Sequence, residues 1–499
     1  MLDQFDDRLD PTFAPADRAA LISRLAAILP ADGLVTAIEG MRVYESDGLA
    51  AYRGLPGVVA LPRTTEQVRA VMKVCGEMGV PVVARGAGTG LSGGALPFPG
   101  CVLLSLARFD QILAIDGDAR TARVQPGVRN LAISEAAAPL GLFYAPDPSS
   151  QLACSIGGNV AENAGGVHCL KYGLTVHNIQ ALELVTLDGE VLRLGGDALD
   201  APGFDLMALI CGSEGLLGVI TEVTVKLLPL AVHAQVLLAA FDDVRHAGEA
   251  VAAIIAAGII PAGLEMMDRL AIGAAEQYVH AGYPTDAAAI LLCEIDGAVD
   301  DVAAELGRVA RVCEAAGAVR VRVAADEAER RLLWAGRKGA FPAMGRLAPD
   351  YYCIDGTIPR RRIAQVLARI EELSAEHGLP VANVFHAGDG NLHPLILYDA
   401  NEAGEMERAE ALGGAILRLC VAAGGTITGE HGVGREKINQ MCAQFSPAEV
   451  EIFAAIKAAF DPAGLLNPGK AIPTLARCAE FGAMHVHGGK TPFAHLDRL

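Results

Sequence analysis

An α+β fold with more than one domain is what this sequence predicts, and three observations lead there. The chain has 499 residues, more than one ordinary hydrophobic core holds. Short apolar strands alternate with helical periodicities in two blocks, one from Gly57 to Pro229 and another from Val232 onward. Its 56 glycines gather in a few loops, the pattern expected where a ligand closely approaches the backbone.

Taken in order, Asp17 to Leu29 carries apolar residues at helical spacing and stops at Pro30, giving a helical lead-in over residues 1–50. Val58–Pro62 reads as a strand. Thr64–Gly79 reads as a helix, with Thr64 as cap and Glu66 in the first turn. Val80–Gly86, Cys101–Leu106 and Ala122–Val128 are further strands, and Ala181–Leu194 is a hairpin turning at Asp188-Gly189. The second block starts with a strand at Ala234–Phe241 and a helix at Asp243–Gly258. A strand at Ala287–Gly297 and a helix at Val299–Gly317 follow. Beyond it, Glu402–Gly425 contains a long amphipathic helix, a strand is expected at "GGTIT", and Ser446–Phe460 is a last helix stopped by "DPAGLLNPGK". The expected segments are 1–50, 51–230, 231–425 and 426–499.

Composition excludes several classes. The net charge is −19 and no dense Lys/Arg block occurs, so nucleic acid is not an expected partner. Eleven cysteines are scattered without a CxxC pair, and "MLDQFDDRLD" lacks an apolar leader. These features predict reduced thiols, a cytoplasmic location and no iron–sulfur cluster held by this chain. Mean hydropathy is +0.34. The most apolar stretch, Ala250–Gly263, is broken by Pro261 and falls short of the ~20 residues a span needs, so no membrane span is expected.

Three glycine-rich loops follow strands or enter them: Val80–Ala95, Ala145–Gly166 and Cys211–Thr221. Backbone N–H groups at such junctions can cradle a pyrophosphate. The first loop alone is weak evidence, because its spacing does not open a normal helix.

"VFHAGDGNLH" reads as two strands turning at Asp389-Gly390, with His386 and His393 side by side. Alone, it is equally a turn whose imidazoles are satisfied by backbone carbonyls. "TITGEHGVGREK" adds Glu430 and His431. A His/His/carboxylate set suits a divalent ion with an open position, and leaves His431 free as a base. Arg337 follows the only tryptophan, and by itself reads as a surface residue at a helix end.

The three loops together resemble the FAD-binding domain of the vanillyl-alcohol-oxidase (PCMH) type, a domain of two α/β subdomains. The resemblance implies that the first loop binds the pyrophosphate and the others surround the isoalloxazine and ribityl chain. By motif, the implied FAD contacts are Arg85, Gly86, Ala87, Gly88, Thr89, Gly90, Ser92, Pro146, Asp147, Ser149, Gly157, Gly158, Asn163, Gly165, Glu214 and Ile220. The first loop has no histidine, which implies non-covalent FAD. "HxGDGNxH" with "GEHG" resembles the C-terminal half of FAD-linked oxidases acting on 2-hydroxy acids. That resemblance implies His386, His393 and Glu430 as ligands of zinc, manganese or iron. It implies His431 as the base, and Arg337 as the grip on the substrate carboxylate.

Longer stretches, among them "YAPDPSSQLACSIGGNVAENAGGVHCLKYGLTVHN" and the tail "RCAEFGAMHVHGG", resemble FAD subunits of bacterial glycolate oxidases over essentially the whole chain. Segment 51–230 is then the FAD-binding domain. Segment 231–425 is a ferredoxin-like substrate (cap) domain, and 426–499 a helical segment returning to the FAD site. The implied reaction is oxidation of glycolate to glyoxylate with hydride transfer to FAD. A second flavin-domain subunit and an iron–sulfur subunit would carry electrons towards quinone, and could hold the chain peripherally at the inner face of the cell membrane. D-lactate oxidation is the alternative within the family, and non-redox alkyl transfer the alternative of another class. Phe341 and Cys353 stand where the 2-hydroxyglutarate branch carries a Thr and a Lys, which implies a short substrate without a distal acid.

Overall fold

The computed structural model describes residues 18–198 and 203–474. Residues 1–17 of the lead-in and 475–499 of the C-terminal segment, including "RCAEFGAMHVHGG", lie outside the described residues.

Two sheets make up the first half. In the four-stranded one, Val58–Ala60, Val102–Ser105 and Val82–Arg85 run parallel, and Leu34–Val35 pairs antiparallel at the edge. The all-apolar faces of these strands pack under the helix Thr65–Met78. Thr64 caps that helix by accepting from the Gln67 N–H at 3.2 Å, and Gly79 ends it at a φ of 64°. The second sheet is antiparallel, in the order Ile112–Asp116, Thr121–Val124, Val219–Lys226, Ile179–Val185, Val191–Gly195. Asp188-Gly189 forms its hairpin turn, with the Thr186 N–H donating to Glu190 O at 3.0 Å.

The second half is built on a seven-stranded antiparallel sheet. Its order is Arg320–Val323, His233–Phe241, Ala289–Gly297, Gly263–Asp268, Val381–Phe385, Pro394–Tyr398, Asp350–Cys353. One face is covered by the helices Val244–Ala256, Val299–Ala315, Ile363–His377 and Glu405–Ala422. The expected strand at "GGTIT" forms only a single bridge, Thr357 with Thr426, because that segment turns at once into the loop around Glu430. Three strands of this sheet escaped the sequence patterns, Gly263–Asp268, Arg320–Val323 and Asp350–Cys353, each short and carrying charged residues.

The halves share interior: Leu49 and Leu216 of the first pack in the same apolar cluster as Leu264 and Val433. The chain also returns, since Val82 exchanges backbone hydrogen bonds of 2.8 Å with Leu465 and Asn467. Among the described residues, nine cysteines are buried free thiols, whereas Cys442 is disulfide-bonded. That departs from the expectation of reduced thiols, since a disulfide joins cysteines near in space and no spacing announced it. Among the described residues, no helix is long and apolar enough to cross a membrane.

Candidate active site

A cavity of about 450 Å³ lies where the three glycine-rich loops meet the second half. The first loop contributes Arg85, Gly86, Ala87, Gly88, Thr89 and Gly90, the second Ser149, Gly157 and Gly158, and the third Glu214 and Ile220. Side chains larger than hydrogen would fill it. A Cβ on Gly86 would meet Ser155 Oγ at 2.1 Å, and one on Gly157 would meet the Pro126 ring at 2.4 Å. A cradle of bare backbone this close suits a large planar and diphosphate-bearing cofactor such as FAD.

The other predicted contacts stand behind that wall. Ser92 is fully buried, and its carbonyl accepts from Arg435 N and Glu436 N. Pro146 O accepts from Asn130. Asn163 caps a helix in the left-handed region (φ 52°) and holds Val176 N at 3.0 Å. Asp147 pairs with His168 at 2.9 Å. Gly165 leaves room for Glu430: a Cβ there would lie 2.6 Å from Glu430 Oε2. Glu214 does both jobs. It lines the cavity and, from a strained φ of 52°, accepts from Val433 N at 2.7 Å and Gly434 N at 2.6 Å.

His393, Glu430 and His431 close the same cavity from the other side, with Lys338, Phe341 and Pro342. The hairpin puts His386 and His393 where the sequence implied. His386 N donates to Asn391 O at 3.0 Å, and Gly390 turns at φ 82°. Nε2 of His386 and Nε2 of His393 each lie 3.1 Å from Glu430 Oε1. Ligand atoms of this trio all lie within 4.8 Å of one another. His393 Nε2 is off the line a hydrogen bond needs, and its Nδ1 has no partner. Two imidazoles and a carboxylate converging with lone pairs unspent could hold a divalent first-row ion.

Electrostatics favour a cation there. Burial opposes charge on Glu430, yet His386 and His393 hold its carboxyl well below the usual range. Burial would likewise keep His386 neutral, but Glu265 and Glu430 push it well above an ordinary imidazole. A bound divalent ion would replace those protons as the positive charge. His431 differs. Burial, aided by His393, brings it down to about 4 despite the Asp355 carboxylate, so it is a neutral imidazole at pH 7. Its ring stacks on His393 at 4.9 Å, and its buried Nδ1 has no partner.

Two carboxylates that the sequence reading did not single out organise this cluster. Glu265, on the central strand Gly263–Asp268, accepts from His386 Nδ1 at 2.9 and 3.0 Å and lies 2.6 Å from Arg337 Nη2. It thereby leaves Nε2 of His386 facing Glu430. Asp355 accepts from the N–H groups of Gly429 (3.0 Å) and His431 (2.9 Å) and from Thr428 Oγ1 (2.6 Å), which fixes the Glu430 loop. Arg337 is 1% exposed, against the surface reading, because Glu265 compensates its charge inside the protein. Its Nε and Nη nitrogens lack aligned acceptors. It does not line the cavity, although its helix neighbour Lys338 does.

Residues 56–195 match the family "FAD binding domain", and residues 230–471 match "FAD linked oxidases, C-terminal domain". The chain is 64% identical to "Glycolate oxidase subunit GlcD" of Escherichia coli (strain K12), over 99% of each chain. It is 33% identical to "D-lactate dehydrogenase" of Anaerostipes hadrus, over 86% of this chain and 92% of that one. The solved structure of p-cresol methylhydroxylase with substrate bound shares the fold, with a TM-score of 0.79, 18% identity, and coverage of 92% and 97%. The chain belongs to the FAD-linked oxidases, as a flavoprotein oxidoreductase of the branch formed by the FAD subunits of bacterial glycolate oxidases.

Proposed function

We propose that the protein oxidises glycolate to glyoxylate. The observation that carries this reading is geometric: His431, its buried Nδ1 without a partner, stands beside a His/His/Glu set on the same cavity as the flavin loops. His431 takes the 2-hydroxyl proton as the C2 hydrogen leaves with its electron pair. Bound FAD supplies the two-electron acceptor, and a divalent ion on His386, His393 and Glu430 supplies a Lewis acid for the hydroxyl and carboxylate. Arg337 is the guanidinium we assign to the carboxylate; it is paired with Glu265 behind the cavity, and contact with substrate requires it to turn from that carboxylate. Phe341, edge-on to His393 at 5.8 Å, and the buried Cys353 offer no cation for a distal acid, which favours a short substrate.

The relatives named as subunits support assembly with partner chains. From the sequence resemblance we take these to be a second flavin-domain subunit and an iron–sulfur subunit, passing electrons towards quinone and holding the chain at the inner face of the membrane. A second reading, D-lactate oxidation, is supported by the relatives of that name; one extra methyl alters affinity by only about 1–3 kcal/mol. Anaerobic mixing of holoenzyme with each acid tests both. Glycolate should bleach the flavin with the higher rate per concentration. Faster bleaching by D-lactate would select the second reading, and no bleaching by either would overturn both.

A further inference from the structure

The cavity wall carries an acid to which nothing above gives a role. Glu162 ends the helix Ile156–Glu162, whose first turn supplies Gly157 and Gly158 to the same cavity. Two glycines make room for its carboxyl. A Cβ on Gly94 would lie 2.7 Å from Oε1, and one on Gly432 would lie 2.0 Å from Oε2. Oε2 is sealed from solvent without a hydrogen bond, while the rest of the side chain opens on the cavity.

The charges around Glu162 are committed elsewhere. Lys437 Nζ binds Glu436 at 2.7 Å and Gly432 O at 3.0 Å. Lys470 Nζ binds Gly94 O, Leu96 O and Asn467 Oδ1 at 2.6–2.8 Å. Asp47 accepts from Leu49 N. Glu214 takes two backbone N–H groups, from Val433 and Gly434. Burial raises both carboxyls, and two neighbouring buried carboxyls do not both ionise; the N–H groups of Val433 and Gly434 pull Glu214 back, and Glu162 has no such donors. The proton therefore falls to Glu162. Burial, then Glu214 and Asp47, hold it well above an ordinary carboxyl, with Lys437 and Lys470 offsetting only part.

We propose that Glu162 is a flavin contact, its carboxylic O–H donating a hydrogen bond to FAD from the wall between the glycine-rich loops and His431. The inference needs FAD in the cavity but neither the metal nor any particular substrate. A donor strengthens as its acceptor becomes electron-rich, so Glu162 stabilises reduced flavin over oxidised.

The test is the midpoint potential and FAD affinity of the full-length holoenzyme, which no substrate assay enters. In Glu162→Ala the ratio of affinities for reduced and oxidised flavin should fall about tenfold, lowering the potential by about 30 mV for a two-electron couple. Glu162→Gln, whose amide still donates, should stay near the parent. An Ala variant with the parent's potential and FAD affinity overturns the proposal, as does a Gln variant that shifts as far as Ala. Should the Ala variant not fold, Glu162→Asp withdraws the donor by one methylene. It should show the same fall, and an unchanged potential there overturns the proposal too.

Discussion

The flavin side and the histidine side of the one cavity are built by opposite means. Gly86, Gly88, Gly157 and Gly158 offer bare backbone, and their contribution is the absence of side chains. Opposite them, His386, His393, Glu430 and His431 are all side chains. They are held by carboxylates from two distant segments, Glu265 on the strand Gly263–Asp268 and Asp355 just after the strand Asp350–Cys353. A backbone cradle is specified locally and tolerates little added bulk, whereas a ligand cluster is specified by partners far away in the chain and tolerates no change of charge. Substitutions on the two sides should therefore fail differently.

The largest effect is expected at His431. His431→Asn keeps the size and removes the base. Flavin reduction by glycolate should slow by about 10²–10⁴-fold, with FAD content unchanged. Stopped-flow absorbance of the anaerobic holoenzyme reads both quantities, and parental reduction rates would remove His431 from the chemistry. Next comes the ligand set. Glu265→Gln replaces the carboxylate that orients His386, and metal affinity should drop about 10–100-fold while flavin stays bound. Metal analysis after dialysis against graded chelator checks this. Equal retention in both proteins would mean that His386 needs no orienting partner.

A smaller and different failure is expected on the flavin side. Gly157→Ala places a methyl 2.4 Å from Pro126 Cβ and 3.0 Å from Pro126 O, a ring and a carbonyl that cannot swing away. Overpacking of this kind costs about 1–3 kcal/mol. FAD should be lost on dilution while the histidine side keeps its metal, as fluorescence titration of released flavin and metal analysis on one sample would report. Joint loss of both would mean that the two sides are not independently specified.

The same contrast explains what was legible in the sequence. Glycine clusters announce a cradle without help from the rest of the chain, and "HAGDGNLH" announces a hairpin because its turn is local. Glu265 was not legible. "GLEMMD" places a charge inside a central strand, which strand patterns argue against, and only Arg337 and His386 make it tolerable. Arg337, taken by itself, reads as a surface residue for the reciprocal reason, and only the family resemblance gave it a role. Asp355 was not legible either, because its grip on Gly429 and His431 spans more than seventy residues that no periodicity connects. Glu162 hid inside a glycine-rich stretch where attention went to the glycines.

The smallest effect should appear at the seam between the two sides. His168 lies between Asp147 of the first half (2.9 Å) and Glu294 of the second (3.2 Å), and Glu294 also binds Trp334 Nε1 and Arg330. Burial opposes its charge, but the two carboxylates outweigh it and raise the imidazole from 6.5 to about 10. A cation raised on folding stabilises fully below the unfolded value, and that stabilisation is lost as pH climbs through the folded one. The melting temperature should therefore decline between about pH 6.5 and 10. His168→Gln keeps the polar contacts without the charge and should flatten that decline, while remaining less stable than the parent at pH 7. Parallel melting profiles for the two proteins across this range would mean that the seam is held by apolar packing around Leu49 and Leu216 instead.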